Sequence, residues 1–458
     1  MKYFALIFAL FASPVGAQQV PQSAAEMQLS FAPLVREAAP AVVNIYVKVV
    51  REVQRTPLQA DPFFGRMFRD PLTDRKPRVQ NSLGSGVILS DDGIVVSNYH
   101  VVAMATDISV VLNDRREFSA RVLLADEDSD LAILKIDAPE PLPYLPLRSS
   151  DSVEVGELAL AIGNPFGVGQ TVSSGIVSGL ARSGRSGGGG RGYFIQTDAP
   201  INPGNSGGAL VDVQGRLIGV NTSILTRSGG SNGIGFAIPA DLVAAFVAQA
   251  QAGRTEFGRP WAGISGQPLD TDMAATLGFD RSGGIIISGL HPASPFLEAG
   301  LEVGDVILSV GGQPVNTPSE MVYRMSVAGL DAQADISFSS AGQQKSARVG
   351  LIAAPEVPSR DAVTLPERSA FPGLTLVRIN PAVLSDFNLP LEIEGVAVMK
   401  TGVFAARAGL RNGDVILAMN GVALSHPGQV AEMLTEQVRQ VEMLVQRGAQ
   451  RIIMRFRG

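Results

Sequence analysis

Residues Pro203-Gly204-Asn205-Ser206-Gly207-Gly208 set a serine among close glycines. Such a run can present a hydroxyl for attack on a carbonyl carbon. Glycine lets the backbone turn sharply and leaves amide N–H groups uncovered beside the serine oxygen. The amides of Gly204 and Ser206, with that of Asn205 beside them, are candidate donors to the oxyanion of a tetrahedral intermediate. Most glycine-rich serine loops are plain turns, so this chemistry needs a base and a carboxylate from elsewhere in the chain.

The chain has only three histidines, and His100 alone lies in the same half as Ser206, the others being His291 and His426. His100 follows the apolar run Val95-Val96-Ser97-Asn98-Tyr99, where a strand runs into a short turn. A lone histidine at a strand end is more often structural, but a serine nucleophile requires a base and no other lies near. The segment Asp126-Glu127-Asp128-Ser129-Asp130 supplies carboxylates. Asp126 and Asp128 read as a solvated turn. Asp130 abuts the buried-type strand Leu131-Ala132-Ile133-Leu134, where a carboxylate can be partly desolvated and aimed at one partner. The order His100, Asp130, Ser206 is one of three unrelated orders in which such sites occur. In this arrangement His100 takes the proton from Ser206 and returns it to the leaving group, while Asp130 stabilises the imidazolium.

The elements that carry these residues read as strands. From about residue 30 to 253, short Val/Ile/Leu runs alternate with Gly, Asn and Asp, as in Ala41–Val47, Gly86–Ser90 and Leu217–Asn221. Many short strands with frequent turns favour barrels or sandwiches over a parallel α/β sheet. Ala240–Val247 reads as a closing helix after Pro239. Two stretches interrupt the pattern: residues 51–80, with an aromatic patch at Phe63, Phe64 and Phe68, and the glycine-rich 182–192. The second cannot hold one conformation unaided and reads as a mobile regulatory loop.

Composition bounds the answer further. Lys2 followed by the apolar run Tyr3–Ala12 and small residues to Ala17 reads as a secretory signal peptide, 1–17. No later apolar run reaches the ~18 residues of a membrane span, so the expected location is the periplasm, with no integral membrane segment after cleavage. The chain has no cysteine, so its cores and not disulfides must hold it. A net charge of −6 gives no sign of nucleic acid as a partner, and no Cys/His cluster offers a metal site; no cofactor is expected.

Taken with Leu83–Ile88, Ser97–Val101, Ser129–Ala132, Ala161–Gly167, Gly204–Leu210 and Gly233–Pro239, all in order, the chain resembles the HtrA (Do/DegP) family of serine proteases. Ser97 stands where members usually carry Thr; both offer a hydroxyl. The resemblance implies a mainly β fold: a chymotrypsin-like double β-barrel protease domain over 18–253, with the triad in the cleft and 51–80 as a regulatory loop. It also implies a homotrimer assembled around Leu29-Ser30-Phe31, and larger homo-oligomers when substrate binds. Ile234 and Gly235 resemble pocket walls suited to a small aliphatic side chain such as Val or Ala. Such residues are buried in folded proteins, so unfolded polypeptides are the expected substrates.

An internal repeat completes the chain. Ala299–Leu308 returns as Ala408–Leu417, an offset of 109 residues. Its Ala-Gly-Leu-x-x-Gly-Asp-Val-Ile-Leu wording resembles circularly permuted bacterial PDZ domains, placed at 258–355 and 366–458. These capture C-terminal peptides on a sheet edge. The carboxylate loop of the first copy is Trp261-Ala262-Gly263-Ile264, with Ala262 where a larger apolar residue is usual; that of the second is Pro372-Gly373-Leu374. The second copy reads equally as a peptide binder or an assembly module, and His291 and His426 as surface residues. The principal alternative to an endopeptidase is a holdase for unfolded chains with proteolysis weak or switched off.

Overall fold

In the computed structural model the described residues are 30–51, 78–103, 105–164, 169–185, 191–202, 204–224, 233–277, 279, 282–435 and 440–457. The signal peptide, most of 51–80 with its phenylalanines, residues 186–190 and Leu29 lie outside them.

Twelve strands form two closed barrels. The first contains β1 (Val42–Arg51), β2 (Arg78–Ile88), β3 (Ile94–Ser97), β4 (Asp107–Val111), β5 (Glu117–Asp126) and β6 (Leu131–Ile136), closed in the order β1-β2-β3-β6-β5-β4. The second contains β7 (Leu158–Gly163), β8 (Thr171–Arg185), β9 (Arg191–Thr197), β10 (Ala209–Val211), β11 (Leu217–Ile224) and β12 (Gly235–Pro239), in the order β10-β11-β12-β9-β8-β7. The architecture agrees with the expected double barrel.

The continuous apolar runs have a simple cause. Side chains alternate across a strand, and here both faces are covered. Ala132, Leu134 and Ile136 fill the interior of the first barrel. Leu131 and Ile133 point the other way, into a cluster shared with Leu160, Ile162, Leu217 and Val220 of the second barrel. The second barrel has its own interior around Ala161, Val177, Ile195, Ile201 and Ile218. The helix Ala240–Gln251 closes over the shared cluster, with Val243 and Phe246 fully buried. It runs four residues beyond the expected Val247.

Two similar sheets follow. The first has strands Ile264–Pro268, Ile285–Leu290, Val306–Val310, Gln333–Ser340 and Gln343–Gly350 in that order, with the helix Pro318–Ala328 beside them. Thr317 caps that helix by accepting from the Glu320 amide, and proline stands in its first turn. The second sheet has Val363–Thr364, Thr375–Arg378, Val396–Lys400, Val415–Met419, Gln440–Arg447 and Gln450–Arg457. The sequence repeat maps strand onto strand, Val306–Val310 onto Val415–Met419, and helix onto helix, Pro318–Ala328 onto Pro427–Thr435. His426 is exposed and pairs with Asp361. His291 is not the free surface residue expected: it is half-buried, edge-on to Trp261 with ring centroids 5.3 Å apart.

Candidate active site

Strand register brings His100 to Asp130. β3 and β6 pair antiparallel with Ser97 opposite Ala132, so the residues just past one strand meet those just before the other. The short helix Tyr99–Val102 anchors Val101 and Val102 in the first barrel and turns His100 toward the cleft. The His100 Nδ1 lies 2.9 Å from both Asp130 carboxylate oxygens, and the His100 amide donates to Oδ1 at 3.0 Å. The imidazole is about half exposed while the carboxylate is 7 % exposed. The carboxylate is therefore shielded from water and the outer ring nitrogen is open to the cleft.

Asp130 is held on every side. Its backbone is left-handed, φ +53°, an uncommon state for a residue with a side chain. Asn98 Nδ2 donates to its carbonyl at 2.9 Å, and Thr222 Oγ1 donates to its Oδ2 at 2.5 Å. Thr222 was not foreseen; it sits on β11 of the other barrel, 92 residues away, and no local signature marks it.

Ser206 arrives from the second barrel. The loop continues the β10–β11 ladder: Gly207 N donates to Asn221 O at 2.8 Å and Asn221 N to Gly208 O at 2.9 Å. Ser85 of β2 then clamps it from the first barrel. Its amide donates to Ser206 O at 2.9 Å and its hydroxyl to Gly204 O at 2.6 Å, while Asn164 N donates to that hydroxyl at 2.8 Å. Ser97 in turn donates its hydroxyl to Ser85 O at 2.8 Å, which is the function a Ser or a Thr can both serve there. Gly207 has φ +82°, and a Cβ on it would collide with the Ser85 carbonyl oxygen, so glycine is required twice over.

The Ser206 hydroxyl donates to the Thr222 carbonyl at 2.9 Å. Among the described residues no hydrogen bond joins it to His100. Of the three amides expected beside it, that of Asn205 donates to Asn202 O at 3.0 Å, and the Asn205 side-chain oxygen accepts from Thr171 at 2.8 Å. Gly204 and Ser206 are the two whose amides have no acceptor among the described residues.

On β12, opposite Ile224 of β11, Gly235 lies next to buried Ile201, whose Cδ1 is 2.8 Å from where a Gly235 Cβ would stand. Ile234 is partly exposed at the same edge. The first PDZ-like sheet presents Trp261, Ala262, Gly263 and Ile264 at one end, the Ser294 hydroxyl donating to Ala262 O at 2.6 Å and His291 N to Gly263 O at 2.9 Å. Trp261, Ala262, Gly263 and Ile264 line a cavity of about 450 Å³ with Pro318, Met321 and Val322 of the adjoining helix and with Ser129, Tyr193 and Leu242 of the protease domain.

Comparison with known proteins agrees with this architecture. Residues 84–220 match the trypsin-like peptidase domain, and residues 286–329 and 395–447 match the PDZ domain. The chain is 36% identical to the periplasmic pH-dependent serine endoprotease DegQ of Escherichia coli, over 93% of this chain and 91% of that one. It is 35% identical to the periplasmic serine endoprotease DegP of the same organism, over 98% and 97%. A solved structure of the HtrA-type protease AlgW with decapeptide aligns at 38% identity and a TM-score of 0.53, covering 71% of this chain and 99% of that one. Double barrel, repeated PDZ sheets and 35–36% identity over nearly the whole length together place the chain in the HtrA family of serine proteases, with DegP and DegQ.

Proposed function

We propose that this protein is an endopeptidase of exported, unfolded polypeptides in which Ser206 attacks, His100 carries the proton and Asp130 orients the imidazole. The observation that supports this best is the His100 Nδ1 contact to both Asp130 oxygens at 2.9 Å, in a site onto which Ser85 and Thr222 bring the serine loop. Such a pairing fixes the tautomer that leaves the outer nitrogen free to accept a proton. The Gly204 and Ser206 amides receive the oxyanion, each donor of this kind contributing about 3 kcal/mol to the transition state. Ile201 and Gly235 make the pocket wall shallow and apolar, which suits a small aliphatic side chain before the cut.

Peptide C-termini bind at Trp261–Ile264, where the Ala262 and Gly263 amides have no acceptor among the described residues while that of Trp261 donates to Ile352 O at 2.8 Å. The loop Pro372-Gly373-Leu374 is less suited to this mode: Pro372 has no N–H, and the Gly373 and Leu374 amides already donate to Leu365 O at 3.0 Å and Phe371 O at 3.1 Å. The protein works in the periplasm, where its relatives DegQ and DegP are by name, and assembles as a homotrimer through the segment that includes Ser30 and Phe31. Digestion of a permanently unfolded protein by wild type and Ser206→Ala in parallel, with mass spectrometry of the products, tests the reading. It expects cuts after Val or Ala by wild type alone.

One observation favours a second reading. With its hydroxyl on the Thr222 carbonyl and not on His100, Ser206 is parked. A chain resting in this state holds unfolded polypeptides more than it cuts them. Suppression of aggregation by Ser206→Ala, with wild type leaving the same client uncut, would make holding the principal function.

A further inference from the structure

A hydrogen-bonded strap joins the peptide loop of the first PDZ unit to the second unit. Trp261 N donates to Ile352 O at 2.8 Å, so the connecting segment starts against that loop. It is then tied to the helix Pro381–Asp386 of the second unit. Ala382 N donates to Pro355 O at 3.2 Å, and Asn380 Nδ2 donates to Glu356 Oε2 at 2.9 Å and to Pro358 O at 2.8 Å. Asn380 also caps the helix, its Oδ1 accepting from Val383 N at 2.9 Å, and Arg360 pairs with Asp386 at 2.8 Å. Buried and bonded on several sides, Asn380 fixes the helix to the strap.

Successive residues of this helix serve different units. Val383 is fully buried in the core of the second sheet. Leu384 is only 4% exposed, yet with Leu389 and Leu391 it lines the cavity of about 450 Å³ at Trp261–Ile264. The first unit's share of that lining includes Ile264, Met321 and Val322. The cavity exists with the second unit in place, so the leucines bound the space and do not fill it. Strand Ile264–Pro268 is the edge of its sheet, half-buried at its start and exposed at Gln267 and Pro268. An extended chain added to this edge ends at the loop, where the Ala262 and Gly263 amides have no acceptor among the described residues. Its last side chain then enters a space with apolar residues from both units around it.

We propose that the second PDZ unit completes the peptide site of the first. Leu384, Leu389 and Leu391 form the wall against the last side chain of a bound polypeptide, which selects a free C-terminal end carrying a branched aliphatic residue. The second unit thereby takes part in peptide recognition without its own loop holding a carboxylate. The inference rests on the reading of Trp261–Ile264 as the loop that captures C-termini.

The test uses the full chain carrying Ser206→Ala, so that nothing is cut, and two labelled unstructured ten-residue peptides ending in free Leu or free Gly. Fluorescence anisotropy reads their binding. The further variants are Leu391→Ala, at a half-buried position, and Leu384→Ala with Leu391→Ala, each checked by a melting curve. Loss of the wall should raise Kd for the Leu-ended peptide about tenfold and that for the Gly-ended peptide less than about twofold. Because the chain has no cysteine, Leu391→Cys gives a single thiol, and the Leu-ended peptide should slow its labelling several-fold. Tighter binding by the folded variants, or faster thiol labelling with peptide present, would make the leucines a lid and overturn the proposal. An unchanged Kd, or an equal rise for both peptides, overturns it as well; in all these cases the capture reading stands. No binding before the leucines are changed, or equal binding when the Leu-ended peptide is amidated, overturns both.

Discussion

Thr222 bridges the halves of the candidate site: its hydroxyl donates to Asp130 and its carbonyl accepts from Ser206. A hydroxyl on a buried carboxylate supports the charge that His100 leans on, and removing it leaves an acceptor unpaired. Thr222→Val should therefore lower kcat about ten- to a hundredfold, with Thr222→Ser restoring most of it; equal rates in Val and Thr forms would show that Asp130 is held adequately by Asn98 and the turn. Gly207→Ala should cost about 2–4 kcal/mol of stability, from a left-handed backbone and a collision with Ser85. Chemical denaturation measures it, and a change below the experimental error would mean that the loop sits differently. At this scale the residues proposed to react, His100, Asp130 and Ser206, were legible as candidates from their contexts. Ser85, Thr222 and Ile201 were not, because their work is defined by partners far along the chain. Ser85 and Gly204 are 119 residues apart.

Among elements, the helix Pro318–Ala328 carries the docking of the first PDZ unit. Its Tyr323 stacks on Tyr193 of β9, ring centroids 4.0 Å apart, and Arg324 pairs with Asp151 while lying over both rings. Burial pushes both tyrosine hydroxyls up, so both stay neutral at all physiological pH values. Tyr323→Ala should weaken docking by about 3–4 kcal/mol, read as a larger radius of gyration in solution scattering; an unchanged radius would place the docking energy elsewhere. The loop Trp261–Ile264 carries a pH dependence. Burial beside Trp261 holds the His291 imidazole below its ordinary value of 6.5. The unfolded chain therefore takes up a proton before the folded one does, and stability is lost as pH falls from that ordinary value. Thermal unfolding followed by Trp261 fluorescence should shift down below about pH 6.5, and His291→Gln should flatten the shift. The strand pattern announced barrels or sandwiches, and only the wording of the motifs chose between them; closure of each barrel depends on pairs such as β1 with β4 that no local run encodes.

For the molecule as a whole, two barrels each supply part of one site, and the seam between them is apolar. Val42, Val87, Val96, Leu131 and Ile133 of the first barrel meet Leu160, Ile162, Leu217 and Val220 of the second. A seam of this kind holds the two halves of the cleft in fixed relation, which a reaction needing sub-ångström placement requires. The repeated PDZ sheets were legible from the 109-residue recurrence, whereas the tyrosine stack was not, since docking surfaces carry no periodic signature. The central claim is that Ser206, paired with His100 and Asp130, is the nucleophile. It is tested most directly by reacting the folded chain with a fluorophosphonate and locating the adduct by peptide mass spectrometry. The account predicts one adduct per chain, on Ser206, formed much more slowly in His100→Ala and Asp130→Ala. An adduct on another serine, or cleavage of unfolded protein that survives Ser206→Ala, would contradict it.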